Sequence, residues 1–341
     1  MKTTRCNNQE PTNPLGETIM SAQAPIGSGF VARPSAFDVL NGIGLNGHLA
    51  IVTGGYSGIG LETTRALADA GADVIAPGRS PAKAQAALAP IRGARSAALD
   101  LLDPASIDAF AEAILADGRP LPILICNAAI MACPLERDAR GYESQFATNH
   151  LGHWQLIARL WPALAKAGQT GGARVVILSS IGHRISPVDF DDPHYQRRDY
   201  NKWQAYGQAK TANSLCAIGL DARGKAHGVR SFSVHPGGIM TDLQRSLAKE
   251  EMIAFGWIDA DGNVDPRFKT PEQGAATSVW AATNPQLAGM GGLYCEDCDI
   301  AALVPDDDKG VTGVRRWAVD PAAADRLWAL SEAQTGIKSP I

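Results

Sequence analysis

The chain has little of what marks several protein classes, and each absence excludes something. No apolar run among its 341 residues approaches the ~18–20 that a membrane span needs. The first twenty residues, MKTTRCNNQEPTNPLGETIM, lack the apolar block of a signal peptide. There is no basic excess: Lys+Arg is 31 and Asp+Glu is 35, a formal charge of −4. That balance leaves no electrostatic footprint for nucleic acid or for an anionic membrane. Cys6, Cys126, Cys133, Cys216, Cys295 and Cys298 are scattered over a large chain, which is not a disulfide framework. Apolar residues at 45% and charged residues at 19% exclude a disordered chain. No solenoid period and no composition break appears. What remains is a soluble protein of a reducing compartment, cytoplasmic, with one large domain.

Residues 1–45 read as an N-terminal extension, partly irregular, rich in Pro, Gly, Asn, Thr and Ser, with a short apolar patch at Phe37–Leu40. Met20 is a candidate alternative start. From 46 to 341 the pattern changes: short apolar runs alternate with longer amphipathic stretches, the signature of βαβ units. Strands are expected at Leu49–Thr53, Asp73–Ala76, Ala97–Leu99, Ile123–Cys126, Val175–Leu178, Phe232–Val234 and Gly292–Cys295. Helices are expected up to Ala70 before Gly71, after Ser80-Pro81, over Ala105–Ala116 behind Asp103-Pro104, within Tyr142–Ala167 and over Ala205–His227. The expected fold is a single α/β domain of Rossmann type, doubly wound, with a central parallel sheet of about seven strands. The irregular segment 239–268 would lie over the carboxyl ends of the strands as a substrate lid.

Thr53-Gly54-Gly55-Tyr56-Ser57-Gly58-Ile59-Gly60 sits between the first strand and the first helix. A dinucleotide site needs glycines there for a tight turn, for close backbone approach to a pyrophosphate, and for close helix packing. The helix N-terminus then offers free N–H groups and partial positive charge to phosphates. Such a motif without ligand is also common, but this one stands at the first strand-to-helix turn. After strand 2 an acid would bind the ribose hydroxyls of NAD; the sequence has Gly78-Arg79-Ser80 and no acid. Arg79 suits the extra phosphate of NADP(H), although a solvated surface arginine would read the same way.

The spacing Gly54-xxx-Gly58-x-Gly60 departs from GxGxxG and resembles the short-chain dehydrogenase/reductase family. Asp100-Leu101 is similar to that family's adenine-contacting pair, and Cys126-Asn127-Ala128-Ala129 to its Asn-Asn-Ala-Gly motif, with Cys126 and Ala129 as departures. Asn149 stands where the family places a catalytic asparagine. Ser179-Ser180 ends strand 5, Tyr206-Gly-Gln-Ala-Lys210 resembles the Tyr-xxx-Lys motif, and His235-Pro236-Gly237-Gly238-Ile239-Met240-Thr241 resembles the Pro-Gly motif that covers the nicotinamide. Segments such as Phe146-Ala-Thr-Asn149-His-Leu-Gly-His153 and Lys269-Thr-Pro-Glu-Gln-Gly274 place the resemblance in the retinol dehydrogenase-like branch and its soluble bacterial relatives. The resemblance covers about residues 46–337. It implies that Gly54, Tyr56, Ser57, Gly58, Ile59, Gly60, Arg79, Asp100, Leu101, Asn127, Ala128, Tyr206, Lys210, Pro236, Gly237, Ile239 and Thr241 bind the cofactor. It also implies a homodimer or homotetramer.

Tyr206 and Lys210 share a helix face. An unperturbed tyrosine, at a pKa near ~10, is a poor base at neutral pH, and a nearby ammonium would lower it. Tyr206 is thus expected as general acid in carbonyl reduction and general base in alcohol oxidation, with Lys210 tuning it and holding the ribose. Ser180, rather than Ser179, would hydrogen-bond the substrate oxygen. Asn149 would hold a water or the helix backbone in a relay with Lys210. Each residue alone has a bland reading; the ordered set does not. Two other readings remain: an NADP(H)-binding redox sensor without turnover, and a reductase of a C=C bond.

The 26-residue gap from Ser180 to Tyr206 leaves a loop, 183–203, that could frame the substrate entrance. Met240, Leu243, Leu247, Met252, Phe255 and Trp257 suggest an apolar ligand, or simply lid packing. No metal is expected. Cys295-Glu-Asp-Cys298 lacks a second ligand pair, and His150 with His153 lacks a third ligand. Asp306-Asp307-Asp308 reads as a solvated loop.

Overall fold

The computed structural model describes residues 23–30 and 33–341. Cys6 and Met20 lie outside them. Eight strands form one sheet: β1 Leu49–Val52, β2 Asp73–Gly78, β3 Ala94–Ala98, β4 Ile123–Cys126, β5 Ala173–Leu178, β6 Val229–His235, β7 Leu293–Glu296 and β8 Asp299–Ile300. Their spatial order is β3-β2-β1-β4-β5-β6-β7-β8. The first seven pair in parallel. The eighth turns back antiparallel on β7. That strand is two residues long, too short for a period-2 signal, which is why seven were expected.

The helices are α1 Ala36–Val39, α2 Gly58–Asp69, α3 Pro81–Leu88, α4 Pro104–Ala116, α5 Ser144–Phe146, α6 Gly152–Thr170, α7 Lys202–Gly224, α8 Lys249–Ala254, α9 Pro271–Thr283 and α10 Pro321–Thr335. They cover both faces, and the strands sort their side chains by the period of two. Leu49, Ile51, Leu124 and Val175 point to one face, beneath Phe110, Trp154, Leu220 and Trp328 of α4, α6, α7 and α10. Ala50, Val52, Ile125 and Val176 point to the other, beneath Val39, Leu67 and Trp280 of α1, α2 and α9. Each large aliphatic side chain so buried contributes roughly 1.5–3 kcal/mol.

Local chemistry sets the helix ends. Asp103 accepts from the Ala105 N–H at 2.9 Å, with Pro104 at the first helical position. Asn201 caps α7 and Thr270 forms a capping box on α9. Strand β3 starts three residues before the expected Ala97, because its residues are half-exposed and no apolar run marks them. Helix α9 went unread because its Gly, Ala, Ser and Thr residues are buried nearly all round and show no amphipathic period. Helix α10, for which no helix was expected, packs on α7 and sets Trp328 edge-on to Trp154 of α6.

Residues 23–28 of the extension are tied to the sheet edge, and α1 packs on α9. Gln23 is buried, and its side chain bonds the backbone of Tyr294 and Ala301. Among the described residues, no helix is long and apolar enough to cross a membrane.

Candidate functional site

A cleft of about 1330 Å3 opens over the carboxyl ends of β1, β4, β5 and β6. Sheet order reverses beside β1, the place where open α/β sheets bind ligands. The volume exceeds the ~300–1,000 Å3 of a usual small-molecule pocket, so it has room for two ligands. Every expected site residue lines it except Asn149.

The glycine turn is built by exclusion. Gly54 is left-handed at φ +63°, and a Cβ there would lie 3.2 Å from Ala128. A Cβ on Gly60 would fall 2.4 Å from the Gly54 carbonyl and 2.5 Å from Asn127 Nδ2, so only glycine lets α2 start this close to the turn. Ser57 precedes α2 with no capping bond from its side chain. Thr53 ties the turn to the end of β4: its Oγ1 accepts from Asn127 N–H at 2.9 Å and Ala128 N–H at 3.0 Å. Gly78 has a role the sequence hid. Any Cβ there would overlap the Tyr56 ring, which rests on the end of β2. Beyond it Arg79 is exposed at the cleft, with no carboxylate partner among the described residues.

Ser180, Tyr206 and Lys210 converge on the floor. Lys210 is buried and donates to the Leu178 carbonyl at 2.8 Å, and its Nζ lies 5.7 Å from the Tyr206 ring centroid. Burial lowers the Lys210 pKa to about 7. Burial raises the Tyr206 phenol to about 12, with Ser180 pulling it back. Lys210 was expected to lower that phenol, but Lys210 is as desolvated as the tyrosine, and desolvation dominates both. Tyr206 is a neutral hydrogen donor at neutral pH.

The two serines separate by what their hydroxyls do. Ser179 Oγ donates to the Lys210 carbonyl at 2.8 Å and accepts from Ser214 Oγ at 2.9 Å, so it is spent on α7. Ser180 is partly exposed in the cleft and accepts from Gly182 N–H at 3.0 Å, so its own proton is the one it donates, to the Tyr206 oxygen or to a ligand in the cleft.

Asn149 sits in a π-helical turn, Ala147–Leu151, between α5 and α6. Such turns recur at functional sites. Its amide is committed to Ile130: Oδ1 accepts from the Ile130 N–H and Nδ2 donates to the Ile130 carbonyl, both at 2.9 Å. The side chain therefore clamps the loop after β4.

Two histidines support the floor. His183 is fully buried; Nε2 accepts from Arg315 N–H at 3.1 Å, which leaves Nδ1 as donor to the Ser180 carbonyl at 2.7 Å. His235 Nδ1 accepts from Ile181 N–H at 3.2 Å. Burial holds both neutral, at about 4 and about 3. His235 was visible only as part of the Pro-Gly segment, and His183 carried no sequence signal as a lone histidine.

Loop 183–203 does not line the cleft. It is occupied with its own polar network: Asp192 accepts from the N–H groups of residues 196, 197 and 198, and Arg137 grips the carbonyls of His194 and Tyr195. The entrance is framed instead by segment 239–268. Leu243, Phe255 and Trp257 face the cleft, while Leu247 and Met252 pack with Met131 and Tyr206. Trp203, Phe255, Trp257 and Phe268 meet at centroid distances of 5.3–6.0 Å. Lys202 and Trp203 Nε1 both bond Glu251, tying α8 to α7.

Asp308 is not a free solvated acid, since Arg184 binds it. Cys295 is core, and Cys298 lies against Thr277. His150 bonds Ser331 and His153 bonds Thr53, in different places.

Residues 48–252 match the family model described as short chain dehydrogenase. A protein of Streptomyces lividans described as "Probable oxidoreductase" is 48% identical over 292 residues, 83% of this chain and 96% of its own. Retinol dehydrogenase 12 of Mus musculus is 35% identical over 302 residues, 86% of this chain and 87% of the mouse protein. Among solved structures, an uncharacterized protein from Mycobacterium paratuberculosis is 31% identical with a TM-score of 0.68, covering 87% of this chain and 97% of that one.

Proposed function

The chain belongs to the short chain dehydrogenase family of oxidoreductases, with retinol dehydrogenase-like relatives, and on that premise we propose an NADP(H)-dependent carbonyl reductase/alcohol dehydrogenase for substrates with an apolar body. The observation that carries the reading is the meeting of Ser180, Tyr206 and Lys210 in one cleft with a glycine turn whose Gly55 and Gly60 leave no room for a Cβ.

The residues present fit a dinucleotide. The turn Gly54–Gly60 and the open N-terminus of α2 would hold its phosphates, with Tyr56, Ser57, Gly58 and Ile59 along it. Arg79 would take the extra phosphate of NADP(H) through a charge-assisted pair. Asp100 and Leu101 would hold the adenine, and Asn127 and Ala128 the middle of the molecule. Lys210 and Tyr206 would hold the nicotinamide ribose, and Pro236, Gly237, Ile239 and Thr241 would cover the nicotinamide. When bound, the cofactor supplies the hydride chemistry.

The chain's own part is proton and dipole work. Ser180 donates a hydrogen bond to the substrate oxygen and stabilises charge growing there. Tyr206, protonated at neutral pH, delivers the proton to that oxygen in reduction and takes it back in oxidation. His183 and His235, both neutral, keep the Ser180–Ile181 backbone in place. The wall of Leu243, Phe255 and Trp257 favours apolar bulk.

The test is NADPH consumption, with an NADH control, over aldehydes and ketones from small aliphatic to bulky aromatic. Turnover is expected with NADPH preferred, and Tyr206→Phe is expected to lose ~10²–10⁴-fold in kcat. Full turnover by Tyr206→Phe would end this reading. NADPH binding without turnover would favour a sensor, and a product that keeps its carbonyl would favour C=C reduction.

A further inference from the structure

We propose that the described N-terminal residues 23–30 and 33–34, which precede the family-model match at residue 48, form the outer wall of the substrate cleft, and that Arg33 is a positioning residue for its aromatic lid. The inference rests on the carbonyl-reductase reading above and names what sets its substrate class.

The segment is anchored at the sheet edge. Gln23 Nε2 donates to the Tyr294 and Ala301 carbonyls at 2.9 and 2.7 Å, and its Oε1 accepts from Tyr294 N–H at 2.9 Å. The Asp299 carboxylate accepts from the backbone N–H groups of Ile26, Gly27 and Ser28 at 2.9, 3.0 and 3.2 Å. Further along, Phe30, Arg33 and Pro34 line the cleft itself. The Ser35–Asp38 capping box then starts α1 and fixes where the segment rejoins the core.

Arg33 holds the lid from outside. Its Nη1 donates to the carbonyls of Pro266 and Phe268 at 3.3 Å, and Nη2 donates to that of Arg267 at 3.0 Å. The planar fork of an arginine can engage three successive carbonyls; a lysine cannot copy that geometry. Arg33 also has φ +60°, a conformation that L residues keep only where the surroundings over-determine it. On the inner side, Lys269 N–H donates to the Gly238 carbonyl at 2.8 Å. The strip 266–269 is thus clamped between Arg33 and the Pro-Gly segment.

From that strip the contacts run to the reacting centre. The Phe268 ring lies 6.0 Å from Trp257, Trp257 6.0 Å from Trp203, and Trp203 6.5 Å from Tyr206. Asp265 N–H closes back on the Trp257 carbonyl at 2.9 Å. Releasing Arg33 frees Phe268 and Trp257, so bulky apolar substrates lose their wall. Small substrates, which reach Ser180 and Tyr206 without it, do not.

The test uses the full chain with Arg33→Ala, and Arg33→Lys as a variant that keeps the charge and loses the fork. Hydrogen exchange at the Asp265 and Phe268 amides is expected to quicken about tenfold in both, with α7 and β4 amides unchanged. KM for a bulky aromatic aldehyde is expected to rise about tenfold, with kcat/KM for a small aliphatic aldehyde and the NADPH dissociation constant unchanged. Unchanged exchange at residues 257–268 overturns the proposal, as does an equal loss on small and bulky substrates. Wild-type protein without turnover on any carbonyl sinks the carbonyl-reductase reading instead, and the exchange comparison still decides the role of Arg33.

Discussion

Replacing Asn149 by alanine separates two roles that the sequence could not. The side chain is fully buried and makes two bonds, to the N–H and the carbonyl of Ile130. Alanine leaves both backbone groups without their partner. A buried polar group left unsatisfied costs about 1–3 kcal/mol, so the pair costs roughly 2–6 kcal/mol. A water entering the vacated space brings the cost to the low end. At about 2 °C per kcal/mol for a large domain, Tm falls by roughly 4–12 °C. The freed loop carries Asn127 and Ala128 at the cleft, so KM for NADPH should rise together with the loss of kcat. Asn149→Asp keeps the acceptor for Ile130 N–H but sets a carboxylate against the Ile130 carbonyl, and should be at least as unstable. The assay is thermal unfolding by circular dichroism, followed by steady-state kinetics with NADPH varied. A variant that keeps the wild-type Tm and the wild-type KM for NADPH, yet loses kcat, would refute the clamp and favour the relay.

Other outcomes follow from the same geometry. Ser180→Ala should lower kcat by ~10²–10³-fold, whereas Ser179→Ala should keep kcat and lose ~1 kcal/mol of stability; equal kinetic losses in the two would contradict the assignment. Gly60→Ala drives a methyl into the Gly54 carbonyl, so NADPH binding, followed by fluorescence, should be lost; unaltered affinity would mean the turn is not the cradle. Alcohol oxidation should speed with pH between 7 and 10, because burial holds Tyr206 protonated up to about 12 and the phenolate is the base; a plateau below pH 8 would argue against it. Acid should destabilise the fold as pH falls below about 6.5. There the unfolded chain protonates histidines that the fold keeps neutral: burial lowers His150 and His235 to about 3 and His153 and His183 to about 4. Each of the four adds up to ~1.4 kcal/mol of loss per pH unit. Urea melts at pH 7 and 5 measure it, and equal stabilities at the two would contradict the burial.

The doubly wound fold class was legible because β1, β4 and β5 carry unbroken apolar runs between helices with plain start signals, Asp103-Pro104 and Ser80-Pro81. The candidate site was legible where a motif has a fixed spacing along one element: Gly54 to Gly60, or Tyr206 to Lys210. Local pattern determines those, because a helix turn or a strand end presents residues by period alone. Tertiary structure decided the rest, because it depends on which groups of distant segments meet. It spent Ser179 on Lys210 and left Ser180 open. It turned the amide of Asn149 to Ile130 and kept loop 183–203 away from the cleft. It packed Tyr56 on Gly78, and it raised the Tyr206 phenol where a neighbouring lysine alone would have lowered it. Desolvation and hydrogen-bond satisfaction are properties of the packed interior, and no spacing within a single element encodes them.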